Sequence, residues 1–279
     1  MAAPMQHRGN ETGSEWLQCL SARFEPADVP VQQEPSLRDS VLAAVSNCNR
    51  CSRMLVDKDT ALDAREDFLA TIADKTFPCV GAKSAMARGM LKTVVCRSLE
   101  GAKEDTRIHS ELLEWVAAHR EDPEGLRSLA VIFEGPRELD EKEFEVAMWE
   151  RLQALANIDE RRDQPYDRSV SPDPEDPHFS LSFGGAAFFV IGLHPNASRP
   201  ARRMPRPTLI FNLHDQFERL REEGRYERMR ETILNRDVAI AGSVNPMLAR
   251  YGEESEARQY SGRVVGKNWR CPFHDPRTA

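Results

Sequence analysis

The chain has 279 residues, of which 40% are hydrophobic and 30% charged, and 45 acidic against 38 basic side chains give a formal net charge of −7. A chain of this length can bury a sizeable core, and its acidic balance excludes the uniform positive field of a nonspecific nucleic-acid binder. No apolar run approaches the roughly 20 residues of a membrane span, and the N-terminus lacks the apolar segment of a secretory signal. We therefore expect a cytoplasmic protein that binds neither nucleic acid nor membrane.

The first residues differ in pattern from the rest of the chain. Pro26, Pro30 and Pro35, together with little hydrophobic periodicity, indicate a flexible or extended arm over residues 1–38. Residues 39–279 contain no internal repeat or interdomain linker, so we predict a single domain there. Helical spacing begins near Asp39, and two apolar stripes mark it: Leu62, Leu69 and Ile72, then Leu112, Trp115 and Val116.

The middle of the chain predicts strands. Residues 128–134 have a β-like pattern, and a helix with Phe144, Met148, Leu152 and Leu155 on one face follows. After a Pro- and Asp-rich loop, residues 179–183 and 186–193 predict a hairpin closed by two glycines. Residues 207–211 predict another strand, and a helix begins near Asn212 with Gly224 weakening its middle. We predict an α+β fold, with a central antiparallel sheet surrounded by helices.

One histidine stands in a context that suits a haem. His194 ends the apolar strand, Pro195 closes it, and Arg199, Arg202 and Arg203 follow. An imidazole can ligate iron, apolar residues such as Phe189 can form the pocket wall, and arginines can hold the propionates. A hydrogen-bonded structural histidine beside a solvated turn is the alternative interpretation of the same residues.

Other residues offer further ligands. His214 is a second candidate for iron, or a helix cap, and Cys271 a third, whose thiolate would favour O–O cleavage. Residues 255–263 are rich in polar groups, among which Glu256 could bind a cationic substrate. Two half-motifs could instead form a zinc site, with the ligands Cys48, Cys51, Cys271 and His274.

Several short motifs occur along the chain: Phe77-Pro-Cys79, Glu143-Phe-Glu145, Gly192-Leu-His194-Pro195, Ala201-Arg202-Arg203, Asn245-Pro-Met-Leu248, residues 255–263 and Trp269-Arg-Cys271-Pro-Phe273. Together they resemble the YqcI/YcgG family over roughly residues 40–273. The resemblance implies a haem-dependent oxygenase that N-hydroxylates a guanidine nitrogen, with free L-arginine as the expected substrate, in a natural-product pathway such as antibiotic biosynthesis. It further implies haem b, O₂, and electrons from an external reductase that acts as redox partner.

The resemblance also suggests roles for individual residues. His194 is the expected axial ligand, with His214 and Cys271 as alternatives, and the three arginines and Phe189 are expected around the cofactor. The expected catalytic carboxylates are Glu218 and Glu256, and the expected substrate-binding residues are Glu256, Arg258 and Arg263. A non-catalytic haem carrier or sensor, and a zinc-stabilised interaction protein, are the alternative functions, and a homodimer is one option for the assembly.

Overall fold

Five strands and seven helices make up the computed structural model, which describes residues 57–278. The strands are β1 (Leu91–Ser98), β2 (Ser128–Gly135), β3 (Leu181–Phe183), β4 (Ala186–Leu193) and β5 (Thr208–Leu213). The helices are α1 (Lys58–Ala73), α2 (Val80–Ala87), α3 (Asp105–Glu121), α4 (Glu141–Arg161), α5 (Asp215–Glu222), α6 (Tyr226–Ala241) and α7 (Ala257–Tyr260), with short 3-10 turns at Pro200–Arg202 and Pro276–Thr278.

The strands form one sheet in the order β1-β2-β5-β4-β3. The pairs β2/β5, β5/β4 and β4/β3 are antiparallel, whereas β1 and β2 run parallel because α3 carries the chain back between them. The predicted α+β fold with a central, mostly antiparallel sheet is therefore confirmed. The predicted arm, residues 1–38, and its boundary lie outside the described residues.

Local sequence signals explain several element boundaries. Asp140 accepts hydrogen bonds from the backbone at the start of α4, and the Glu143 side chain accepts one from the Asp140 N–H, which completes a capping box. Gly184 and Gly185 have φ values of 59° and 72°, which the two-residue turn between β3 and β4 requires. Gly224, at φ 66°, separates α5 from α6.

Two elements differ from the sequence prediction. β1 was expected in a helical region, but its short apolar run, Val94 to Cys96, is buried in the sheet. Such a run lacks the alternation that distinguishes a half-buried strand. The helix expected near Asn212 begins at Asp215, because Asn212 still pairs with Phe189 within the sheet.

The sheet has a core on each face. On one face, α3 and α4 cover the larger core, which includes Phe133, Phe188 and Phe211. On the other face, α1 covers a smaller core that includes Ile132, Leu193 and Ile210. Because side chains alternate along a strand, the parity of a residue in β4 or β5 decides which core it joins. Of the described helices, none has the length and apolar character needed to cross a bilayer.

Candidate functional site

A cavity of about 300 Å³ lies on the α1 side of the sheet. Its floor is formed by facing residues of β4 and β5, where Phe189 pairs with Asn212 and Ile191 with Ile210. Helices contribute mostly apolar walls: Phe68 and Ile72 from α1, Phe77, Cys79 and Ala82 at the start of α2, and Met229, Ile233 and Leu234 from α6. The cavity can therefore hold a largely apolar group against a flat floor.

His214 and Glu256 form a polar corner of this cavity. His214 follows β5 directly and is buried, with its ring 4.5 Å from the Tyr251 ring. Its Nε2 lies 3.7 Å from Glu256 Oε1, and its Nδ1 lies 3.8 Å from Glu218 Oε1. Within residues 57–278, neither ring nitrogen makes a hydrogen bond, so this imidazole stays available to a ligand or a proton.

Glu256 is a buried carboxylate that is only partly used by the protein. Its Oε2 accepts hydrogen bonds from the Ser180 hydroxyl at 3.0 Å and the Tyr260 hydroxyl at 3.3 Å. Burial and the charge of Glu256 together raise the pKa of Tyr260, and they raise that of Tyr251 to about 12. Its Oε1 makes no hydrogen bond with the described residues, although His214 Nε2 lies 3.7 Å away. This oxygen can therefore accept a hydrogen bond from a cation in the cavity.

Cys79 supplies a thiol to the cavity wall. It caps the N-terminus of α2, where its Sγ accepts the Ala82 N–H at 3.4 Å. A Cβ built on Gly81 would lie 3.7 Å from this Sγ and 3.8 Å from Met229 Sδ of α6. Burial raises the pKa of the thiol, whereas the helix N-terminus and the N–H donor favour its anion once a metal replaces the proton.

Two of the predicted arginines line the cavity. Arg199 forms a buried ion pair with Asp237 of α6, at 2.9 Å between Nε and Oδ2. Arg202 has no carboxylate partner among the described residues and donates instead to the carbonyls of Gly192, Gln259 and Tyr260. Burial lowers its pKa to about 10, against the opposing effect of Asp237. Asp237 therefore balances the charge of Arg199, whereas the charge of Arg202 in the cavity lining has no carboxylate partner among the described residues.

The other predicted arginines lie elsewhere. Arg203 donates to the carbonyls of Ala197 and Ser198 and is not part of the cavity lining. Arg263 pairs with Glu145 of α4, and Arg258 lies over the Trp269 ring. These two expected substrate-binding residues therefore lie outside the cavity, because partners within the protein already hold their side chains.

His194 also lies outside the cavity, on the opposite face of the sheet. It is 1% exposed, and its ring stacks on Phe144 with the centroids 4.3 Å apart. Burial lowers its pKa, and its Nδ1 has no partner in the described part of the chain. The ring therefore packs against the larger core and away from this cavity, and its role as axial ligand stays a prediction.

The remaining ligand candidates differ in position. Cys271 packs beside the larger core, where burial raises its pKa to about 12, and it does not line the cavity. His274 is exposed. Cys48 and Cys51 lie outside the described residues, so the four-ligand zinc set stays a prediction. Glu218 does not line the cavity but pairs with Arg221, which does.

The helix α6 forms part of the site, although the sequence did not predict it there. Tyr226, Met229, Arg230, Ile233, Leu234 and Asp237 line the cavity from this helix. Their spacing of three or four residues is that of one helical face. Charged residues at Arg230 and Asp237, within an otherwise apolar stripe, were the available signal.

The α+β domain therefore contains an apolar cavity with a thiol on its wall and a carboxylate–imidazole corner, and such features are common at small-molecule sites. The family comparison makes this more specific. The YqcI/YcgG family model matches residues 68–274, which is most of the chain, and the protein belongs to this family. No curated protein and no solved structure matches the chain.

Proposed function

We propose that this protein is a cytoplasmic, haem-dependent oxygenase that N-hydroxylates a guanidine nitrogen, with free L-arginine as the expected substrate. The proposal is supported above all by one observation: a single cavity contains a thiol, an imidazole without a hydrogen bond and a half-used buried carboxylate. Family membership is compatible with this activity and does not by itself supply it.

Several residues around the cavity have the chemistry that a haem would need. Phe189, Ile191 and the apolar residues of α1 and α6 would offer walls for a macrocycle, and Arg202 would bring positive charge for its propionates. When bound, haem would supply O₂ activation with electrons from an external reductase. One oxygen atom would form the new N–O bond and the other would leave as water, which consumes two electrons and two protons.

Among the described residues that line the cavity, Cys79 and His214 have side chains that could ligate a haem iron. A substrate held by Glu256 lies next to His214, because the two side chains are 3.7 Å apart. In the proposed function, Glu256 and His214 would both serve the substrate, and Cys79 would be the side chain that holds the iron. A thiolate in that role would favour O–O cleavage.

The substrate side then has a clear division of work. Glu256 Oε1 would accept N–H bonds from the planar guanidinium and so orient the substrate in the cavity. His214 Nε2, which lies 3.7 Å from the same carboxylate, would take up the proton that the substrate nitrogen loses. The apolar walls exclude water from the reacting groups.

An absorption spectrum of protein expressed with a haem precursor tests the proposal. We expect a Soret band in the wild type and a thiolate-type ferrous–CO spectrum that C79S loses and the matched variant C271S keeps. Wild-type protein without a Soret band would refute the function. If C79S kept the wild-type spectrum while H214A lost it, the ligand would be His214.

Catalysis is tested with L-arginine, O₂ and a reductase. We expect a product one oxygen atom heavier, formed in proportion to enzyme, and E256Q should lose it while retaining the Soret band. The matched change E254Q alters an exposed glutamate of the same segment and should leave product formation unchanged. Haem binding without any product would identify a haem carrier or sensor instead.

A further inference from the structure

Arg230 is a cation on the cavity wall for which residues 57–278 provide no hydrogen-bond or ion-pair partner. Four arginines line the cavity: Arg199, Arg202, Arg221 and Arg230. The first pairs with Asp237, the second is bonded by three carbonyls, and the third pairs with Glu218. Within residues 57–278, Arg230 makes no hydrogen bond and no ion pair.

The lack of a partner among the described residues is unusual at the position that Arg230 occupies. It is half-buried on α6, next to Met229 and in a wall that is otherwise mostly apolar. A charged group at such a place loses part of its hydration, and a partner must compensate the loss. A guanidinium presents a planar fork that matches a carboxylate in two parallel hydrogen bonds.

We propose that Arg230 binds a carboxylate of the molecule that occupies the cavity. The inference rests on the proposed function for the identity of that molecule, which offers two sources of the same chemistry: a haem propionate and the α-carboxylate of an amino-acid substrate. Glu256 and Arg230 then give the cavity one anionic and one cationic contact. Together they select ligands that carry both charges.

Two titrations of R230Q distinguish the sources. The first adds haemin to haem-free protein and follows absorbance, and the second adds L-arginine or its decarboxylated analogue agmatine and follows heat. Weaker haemin binding by about tenfold or more, the size of a lost charge-assisted hydrogen bond, identifies a propionate. An equal loss for L-arginine but not for agmatine identifies the substrate carboxylate.

R228Q is the matched control, because Arg228 lies on the same helix but is exposed. R228Q should bind haemin, L-arginine and agmatine like the wild type. The affinity of R230K should lie between those of the wild type and R230Q, because lysine keeps the charge without the planar fork. If R230Q binds haemin and L-arginine like the wild type, the proposal for Arg230 is wrong while the proposed function stands. If the wild type takes up no haemin, the proposed function is wrong, and the proposal for Arg230 is then tested by the binding of L-arginine and agmatine to the haem-free protein. A wild type that binds these two molecules equally well would overturn the proposal for Arg230 as well.

Discussion

Replacing Gly192 with alanine tests whether the α4 side of β4 is packed core and separate from the cavity. A Cβ built at Gly192 lies 2.7 Å from Phe144 Cε1, 3.0 Å from its Cζ and 3.1 Å from Met148 Sδ. Both side chains are fully buried, and the Phe144 ring is also stacked on His194. The ring therefore has no free space into which it can withdraw.

The size of the effect follows from two opposing contributions. Overpacking of a close-packed core costs about 1–3 kcal/mol, while alanine recovers about 0.5–1 kcal/mol of backbone entropy relative to glycine in a strand. The contact at 2.7 Å puts the steric cost toward the upper end. We expect G192A to lose about 1–2 kcal/mol of unfolding free energy, which lowers Tm by about 2–8 °C at this size.

Thermal and chemical unfolding of purified G192A measure this loss. Gly266 gives a matched control, because a Cβ there meets nothing within 4 Å, and G266A should stay within about 0.5 kcal/mol of the wild type. Haem and ligand binding of folded G192A should be unchanged, since Ile191 and Leu193 face the cavity from the other side of the strand. Equal stability of the two variants, or an altered Soret band in G192A alone, would refute the assignment of the two faces.

Two ion pairs outside the proposed chemistry give further predictions. D237A should lose about 3 kcal/mol of unfolding free energy, because it leaves the buried Arg199 guanidinium without its carboxylate. Chemical denaturation measures this loss, and it should detect no comparable loss in E231A, which changes an exposed residue on the same helix. Burial pushes the pKa of Asp215 up, but the hydrogen bond from His119 and neighbouring charge outweigh it and hold that pKa below its ordinary 3.8. When the pKa of a carboxylate is lower in the folded than in the unfolded protein, its contribution to stability is present above the unfolded pKa and is lost as the pH falls through the folded pKa. The stability difference between the wild type and D215N should therefore shrink below about pH 3.8. A difference that stays constant with pH would contradict the pairing.

The fold was predictable where sequence patterns are local. The two glycines at 184 and 185 and the flanking apolar alternation determined the β3–β4 hairpin, and the capping box at Asp140 marked the start of α4. β1 was not predictable in this way, because a strand buried between a parallel partner and helices has a continuous apolar run. Its place at the sheet edge depends on the α3 crossover, which is a long-range feature.

The candidate site divides along the same line. His214, Glu256, Arg199, Arg202 and Phe189 were predicted and meet in the cavity. His194 does not, and the period of a strand explains why: residues 189 and 194 are an odd number of positions apart, so they face opposite sides of a sheet. Side chains that already have partners, such as the Glu145 partner of Arg263, cannot be recognised from the sequence, because the partner is more than a hundred residues away.

The wall formed by α6 links the stability of the fold to the chemistry of the site. Of the sixteen residues of this helix, Asp237 alone is fully buried, and its ion pair with Arg199 ties the helix to the segment that follows β4. The same helix carries Met229 and Arg230, and the latter has no hydrogen bond or ion pair within residues 57–278. An ion pair satisfied within the protein can therefore fix the position of α6, while a second cation, seven residues before Asp237, stays available. Under our proposal, Arg199 thus stabilises the wall and Arg230 binds the ligand.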